Sequence, residues 1–421
     1  MDFREKARRL ALALAGMTIC ASAAPLPSRA PAAAPTMMGT PGTDASAAMM
    51  LPGDAPAATP RWSDDALHQL LAAVEGARDE GLRPQDYQRD MIADLIARHD
   101  ESPARDALAE RAARALAHDY AEGRVRDHAR FNWHIERDPA ELAALESGLD
   151  PAVRADRVAD YFQSLLPRDA RYQALRDALR DSDPSDLDRV RAIRASMERW
   201  RWMPRTLGDR YILVNVPAYR LDLVEDGAVT ADHVVVVGAP KTPTPMIASY
   251  ANAVVVNPWW TLPPTVLAEG KRYSPERGFV TRVVGGRAMI RQKPGPNNAL
   301  GRVKIDMPNP YAIYLHDTPA KAAFARSDRA LSHGCIRVKG IAQLAEALAE
   351  DGRVDMALDD EATQTLQLEK SVPVYIAYFT AGTDAEGQFH TFGDPYAQDS
   401  ALIEALDGSE TETMHLASAA P

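Results

Sequence analysis

The stretch Glu198-Arg199-Trp200-Arg201-Trp202-Met203-Pro204 divides the chain into two kinds of sequence. Upstream, apolar residues recur at helical spacing: Leu67, Leu70, Leu71 and Val74 follow Trp62, and Gly81 and Pro84 end that run. Similar runs over about 104–121, 151–166, 169–181 and 186–200 are rich in Ala, Leu, Arg and Glu and lack β-branched clusters, so they predict helices. Downstream, β-branched runs separated by Pro, Gly or Asp predict strands at 211–216, 219–225, 233–238 and 253–257. Further strands are expected at about 287–292, 302–306, 312–316, 335–338 and 373–379, with one helix over about 340–350. Pro258, Pro263, Pro264 and Pro294-Gly295-Pro296-Asn297-Asn298 mark turns and loops. The expected architecture is α+β: a mostly helical domain over 62–200, then a mostly β domain over 205–380. An extension over 381–421 follows, and from about Ser400 it has little pattern and reads as a loose tail.

The sequence before Trp62 is different again. Arg4, Lys6, Arg8 and Arg9 precede an apolar run from Leu10 to Ala24, which ends in the small residues Ala21-Ser22-Ala23. The run is too short to span a bilayer comfortably, so residues 1–23 read as a secretory signal and the protein as exported to the periplasm. The alternative, an uncleaved anchor, is the one route by which the chain would touch a membrane; Gly16 interrupts the run and argues against it. Residues 24–61 are rich in Ala, Pro, Met and Ser without periodicity, as in a disordered linker. The chain has 421 residues and a net charge of -11, which excludes a protein that neutralises nucleic-acid phosphates along a basic stripe. Two cysteines exclude a disulfide scaffold and a multi-cysteine zinc site.

Once Cys20 leaves with the signal, Cys335 is the only thiol. It lies in Ser332-His333-Gly334-Cys335-Ile336-Arg337-Val338, downstream of Tyr314-Leu315-His316-Asp317-Thr318-Pro319. If 312–316 is a strand, Ala312, Tyr314 and His316 share one face, and Ile313 and Leu315 share the core face. Cys335 and Arg337 alternate with Ile336 and Val338 in the same way. A thiol, a guanidinium, a phenol and an imidazole would then line one surface. A nucleophilic thiol needs a nearby base and positive charge to favour the thiolate; His316 and Arg337 supply both if the two strands are close. Gly334 allows a sharp turn that aims backbone N–H groups at a developing oxyanion. The plainer readings are an inert buried thiol and structural histidines. A metal set of His316, His333 and Cys335 lacks zinc-ligand spacing, and no metal or cofactor is expected.

A histidine, 15 residues and then Ser-His-Gly-Cys resembles the signature of the L,D-transpeptidases with a YkuD-type catalytic domain. Glu198 to Trp202, Val214-Asn215-Val216-Pro217, Asn257-Pro258-Trp259-Trp260 and the run from Pro294 to Gly301 resemble the large periplasmic YcbB branch. Gly81-Leu82-Arg83-Pro84-Gln85-Asp86-Tyr87 and Tyr172-Gln173-Ala174-Leu175 resemble that branch's helical scaffold. The resemblance covers about Trp62 to Asp399. It implies that Cys335 attacks a stem-peptide carbonyl of peptidoglycan, expels D-alanine and passes the acyl group to an acceptor amine. It implies that His316 is the base, oriented by the backbone carbonyl of Asp317. Ser332, His333 and Gly334 would shape the nucleophile turn, with the N–H groups of Gly334 and Cys335 in the oxyanion hole. Tyr314, Asn309, Trp260 and Arg337 would contact substrate. The implied partners are peptidoglycan stem peptides and other cell-wall enzymes. An L,D-carboxypeptidase that hydrolyses the same acyl-enzyme and a non-catalytic cell-wall scaffold are the alternatives.

Two departures stand out. Arg337 occupies a position where many members have Asn, although the YcbB branch carries this variant. Only Asp181 to Ser196 precede the Glu-Arg-Trp-Arg-Trp stretch, too few for the small peptidoglycan-binding module usual there. Residues 266–286 fall where the branch places a mobile lid: Gly270, Gly278 and Gly285-Gly286 supply hinges, and Arg272, Arg277 and Arg282 supply charge. The plainer alternative is an ordinary surface insertion.

Overall fold

The structure, a computed structural model, describes residues 61–284 and 287–408. The signal, the linker and the Gly285-Gly286 hinge therefore lie outside the described residues. Among the described residues, eight α-helices lead into the dividing stretch: α1 (Asp64–Gly76), α2 (Arg89–Ala97), α3 (Pro103–Glu122), α4 (Pro139–Glu146), α5 (Leu149–Arg154), α6 (Val158–Leu165), α7 (Ala170–Arg180) and α8 (Leu187–Arg201). Four of them start on a side-chain cap. The side chains of Ser63, Asp138, Asp169 and Asp186 accept backbone N–H bonds at α1, α4, α7 and α8, satisfying donors that a helix cannot pair internally. Leu67, Leu70, Val74, Leu116 and Tyr172 meet in the helical core. The helix expected over 151–166 is broken into α5 and α6, because Asp156 adopts a left-handed backbone (φ 51°) between them. Residues 181–186 join α7 directly to α8. Among the described residues no helix is long and apolar enough to cross a membrane.

The β region begins with β1 (Arg210–Asn215), β2 (Arg220–Glu225), β3 (Ala228–Gly238), β4 (Ala248–Val256) and β5 (Trp260–Thr261). After a short helix α9 (Pro264–Leu267) come β6 (Phe279–Val284), β7 (Arg287–Gln292), β8 (Val303–Asp306), β9 (Leu315–His316), β10 (Ala330–Ser332) and β11 (Ile336–Val338). Helices α10 (Ile341–Ala349) and α11 (Arg353–Leu358) lead to β12 (Gln364–Ala377), β13 (Ala381–Thr383), β14 (Phe389–Thr391) and α12 (Asp399–Asp407). Nine strands form one sheet in the order β10-β3-β11-β9-β8-β4-β12-β1-β2, and β2 also pairs with β3, so the sheet closes on itself. The short β9 lies between β11, with Arg337 opposite His316, and β8, with Lys304 opposite His316. That register sets three cationic or imidazole side chains in one row across the sheet.

Three expectations need correction. The strand expected over 312–316 is only Leu315–His316, because Ala312 takes a positive φ of 54° in the turn that Asn309 organises. The segment expected as a lid is not a bare loop: its β6 pairs with β7, and β5, β7 and β6 form a separate three-stranded sheet over a small core of Leu262, Val266 and Phe279. The tail beyond Ser400 is ordered as far as it is described. Leu402 and Leu406 of α12 are buried in the main core, a contact with α8 that local pattern alone does not reveal.

The dividing stretch itself is structural. Glu198 and Arg201 pair at 2.7 Å and are both fully buried; Glu198 also accepts the N–H of Val125, and Arg201 donates to the carbonyl of Glu80. Arg199 points the other way, to Asp399 of α12 at 2.7 Å. Trp200 stacks on Phe379 at 4.8 Å, and Trp202 meets Trp133 edge-on. One helical segment thus ties the helical domain, the barrel and the C-terminal helix together.

Candidate active site

Cys335 lies in the turn between β10 and β11, beside the end of a cavity of about 260 Å³. Trp260, Tyr314, His316, Ser332, His333, Cys335 and Arg337 all line it, so seven of the ten residues singled out from the sequence converge there. The turn is held tightly. Gly334 has a φ of 111°, a conformation that favours glycine. The Ser332 hydroxyl donates to the carbonyl of Cys335 at 2.5 Å and accepts the Gly334 N–H at 3.1 Å. The expectation that Gly334 supplies an oxyanion donor is therefore not met in this structure: its N–H is already bonded to Ser332. The N–H of Cys335 has no partner among the described residues and remains available.

His316 is buried, and its Nδ1 bonds the carbonyl of Asp317 at 2.5 Å. A carbonyl only accepts, so Nδ1 carries the proton and Nε2 keeps a lone pair. Burial, and next the Arg337 guanidinium, push the imidazole down to about 3, so it is neutral. The Asp317 carboxylate faces away, accepting from the Arg302 N–H and pairing with Lys321.

The thiol differs from expectation. Burial raises Cys335 above the usual thiol range; donors from Tyr314, its backbone N–H and its phenol, then Lys304 and Arg337, oppose the rise without reversing it. The resting groups are a neutral thiol and a neutral imidazole lining one cavity, because desolvation outweighs the positive neighbours. The thiol is bonded to the carbonyl of Ala312 at 3.6 Å. Tyr314 packs edge-on to His316 at 5.5 Å, carries Lys304 over its ring at 4.6 Å and receives a bond from Trp260. Arg337 faces the cavity without a carboxylate partner among the described residues.

Asn309 is placed elsewhere. Its amide donates to the carbonyls of Met307 and Ile313 and accepts the N–H groups of Tyr311 and Ile313, so it braces its own loop. It lines a second, larger cavity of about 760 Å³ toward the helical domain, away from the thiol. The segment expected as a lid and the strand after it add residues that the sequence did not single out: Glu269, Lys271, Tyr273 and Phe279, and then Gln292, line the cavity. Glu269 pairs with both His333 and Lys271, joining the lid to the nucleophile turn. Glu269 and Lys271 lie in the expected lid, but no local motif marks either of them.

Residues 209–374 match the family model of the L,D-transpeptidase catalytic domain, YkuD, and residues 55–179 match that of a scaffold domain. The chain thus carries a region matching the L,D-transpeptidase catalytic domain, with a region matching a scaffold domain ahead of it. A Haemophilus influenzae protein provisionally named an L,D-transpeptidase is 30% identical over 282 residues, covering 59% of this chain. The match spans 56% of that relative, little more than half its length. Among solved structures, an L,D-transpeptidase from Mycobacterium smegmatis is 15% identical, covering 40% of this chain and 58% of its own, with a TM-score of 0.23. A mutant Enterococcus faecium L,D-transpeptidase is 18% identical, covering 42% and 52%, with a TM-score of 0.22.

Proposed function

We propose that the protein is a periplasmic enzyme of the YcbB type that cross-links peptidoglycan stem peptides through a thioester on Cys335. The observation that carries this reading is a thiol in a lined cavity with a buried imidazole whose tautomer the Asp317 carbonyl sets. With Nδ1–H committed to that carbonyl, Nε2 takes the thiol proton as sulfur bonds to the carbonyl carbon of a donor stem peptide. The tetrahedral oxyanion is met by the N–H of Cys335. Collapse breaks the peptide bond; Nε2 returns the proton to the departing D-alanine amine and leaves a thioester. The amine of an acceptor stem attacks next, loses its proton to Nε2 and releases the thiolate, which recovers that proton. Tyr314 stabilises the sulfur charge in both steps, and Arg337 holds a stem-peptide carboxylate. The lid sheet excludes water, favouring the amine over hydrolysis.

Incubation with purified tetrapeptide muropeptides tests the reading. Cross-linked dimers and free D-alanine are expected, and both should vanish in Cys335→Ala with the fold intact. Tripeptide monomers without dimers would make the enzyme an L,D-carboxypeptidase instead. Unchanged tetrapeptide would leave a non-catalytic scaffold, and dimers from Cys335→Ala would remove Cys335 from the chemistry.

A further inference from the structure

The nucleophile turn rests on a layer that lies partly outside the catalytic-domain match. Beneath Gly334, the Thr244 hydroxyl donates to the Gly334 carbonyl at 2.7 Å and accepts the Gly238 N–H at 2.8 Å. Thr244 is fully buried, so these bonds are sheltered from water. Gly238 ends β3, and a Cβ there would lie 2.3 Å from the Thr242 carbonyl oxygen and 2.6 Å from the Thr244 nitrogen. The 242–244 loop therefore sits directly on that backbone. The loop is in turn fixed by Tyr396, whose hydroxyl donates to the Gly238 carbonyl at 2.8 Å and accepts the Thr244 N–H at 3.1 Å.

Tyr396 is itself held in place. Its backbone N–H bonds the Tyr378 hydroxyl at 2.9 Å, and the two rings stack at 5.4 Å. Tyr378 donates to Asp394, which also accepts the N–H groups of Gln398 and Asp399 at the start of α12. One phenol thus spans two backbone groups that would otherwise be left unpaired, one joint away from the residue before the thiol.

We propose that Tyr396, acting through Thr244, is a positioning residue that sets where the Gly334–Cys335 turn holds the sulfur. The inference rests on Cys335 being the reactive group, as in the function proposed above. Loss of either hydroxyl lets the turn relax, and small displacements of a reacting atom cost rate out of proportion to their size.

The test uses the full chain carrying Tyr396→Phe, Thr244→Val, Thr244→Ser or the first two combined. Two rates are followed: alkylation of Cys335 by iodoacetamide across pH, and turnover of stem-peptide donor, with melting temperature measured in parallel. Tyr396→Phe and Thr244→Val should each slow alkylation and kcat by about tenfold, with KM little changed. Thr244→Ser, which keeps the hydroxyl, should restore most of the rate. The double variant should be no slower than Thr244→Val alone, because both residues act along one line. Wild-type alkylation in both single variants would overturn the proposal, as would Thr244→Ser being as slow as Thr244→Val. Should Tyr396→Phe fail to fold, the Thr244 pair decides. If the wild type cross-links nothing while the alkylation pattern holds, the proposed function fails and the positioning role stands.

Discussion

His316 illustrates how a residue's surroundings set its chemistry. In an unfolded chain its imidazole titrates near 6.5, and in the fold near 3. Between these values the unfolded state holds the extra proton, so folding stability is complete above about pH 6.5 and falls as the pH drops toward 3. The slope through that window is about 1.4 kcal/mol per pH unit from this residue. Urea unfolding of wild type and His316→Asn should therefore give a constant stability difference above neutrality. Below pH 6.5 the wild type should lose about 2 kcal/mol relative to the variant over the next 1.5 units. Parallel stability curves down to the acid limit would remove burial of a neutral imidazole from the account. Gly301 supports the same histidine from behind. Its φ is 59°, and a Cβ there would lie 2.3 Å from the Asp317 carboxylate. Gly301→Ala should therefore shift Asp317, whose carbonyl orients His316, and reduce turnover by tenfold or more, roughly. Gly227→Ala, also at positive φ but with nothing near its added carbon, should keep wild-type turnover. An equal loss of turnover in the two variants would show that it comes from backbone strain alone, and wild-type turnover in Gly301→Ala would remove Gly301 from the positioning of Asp317.

At the level of elements, the segment proposed above as a lid is a small folded unit. Its core is Leu262, Val266 and Phe279, with Trp260, Leu267, Tyr273 and Ile290 packed against it. Truncating a buried Phe to Ala costs about 3–5 kcal/mol, more than so small a core can lose while staying folded. Phe279→Ala should thus speed amide exchange in Phe279–Thr281 and Ile290–Gln292, while barrel amides and the melting temperature stay near wild type. Product analysis should show more tripeptide monomer per dimer, since an open lid admits water to the thioester. Unchanged exchange in these segments would mean that the lid draws its stability from the barrel.

At the level of the whole molecule, the helical domain, barrel and C-terminal helix share one buried ion pair. Arg199 is fully buried, and its guanidinium meets Asp399 at 2.7 Å, with the Thr380 hydroxyl on the other carboxylate oxygen. Removing one partner of such a pair leaves an uncompensated charge and costs about 3–5 kcal/mol. Asp399→Ala should lower unfolding stability by that amount in urea titration, through a single shared transition of helical and barrel signals. A loss below about 1 kcal/mol would mean that water reaches Arg199 once the carboxylate is gone.

The order of elements was legible in the sequence because helix and strand periodicities are local properties. The 3.6-residue runs before Trp200 and the alternation after Tyr211 became the elements they predict, to within a few residues at most ends. Cys335, His316, Tyr314 and Arg337 were legible as a set from the Ser-His-Gly-Cys spacing and the expected alternation, although Tyr314 and Cys335 fall just outside β9 and β11 and reach the cavity from the adjoining turns. The longer-range features were not. Asn309 left the site because its amide bonds its own loop, a choice that sequence spacing does not encode. The thiol and imidazole are both neutral because burial outweighs nearby positive charge, and burial depends on the whole chain. Glu269 of the lid and Tyr396 near the C-terminus reach the nucleophile turn only through contacts 64 and 158 residues apart in sequence, to His333 and Gly238. Local sequence decides which way a side chain faces on its own element; tertiary packing decides what it meets and whether water meets it too.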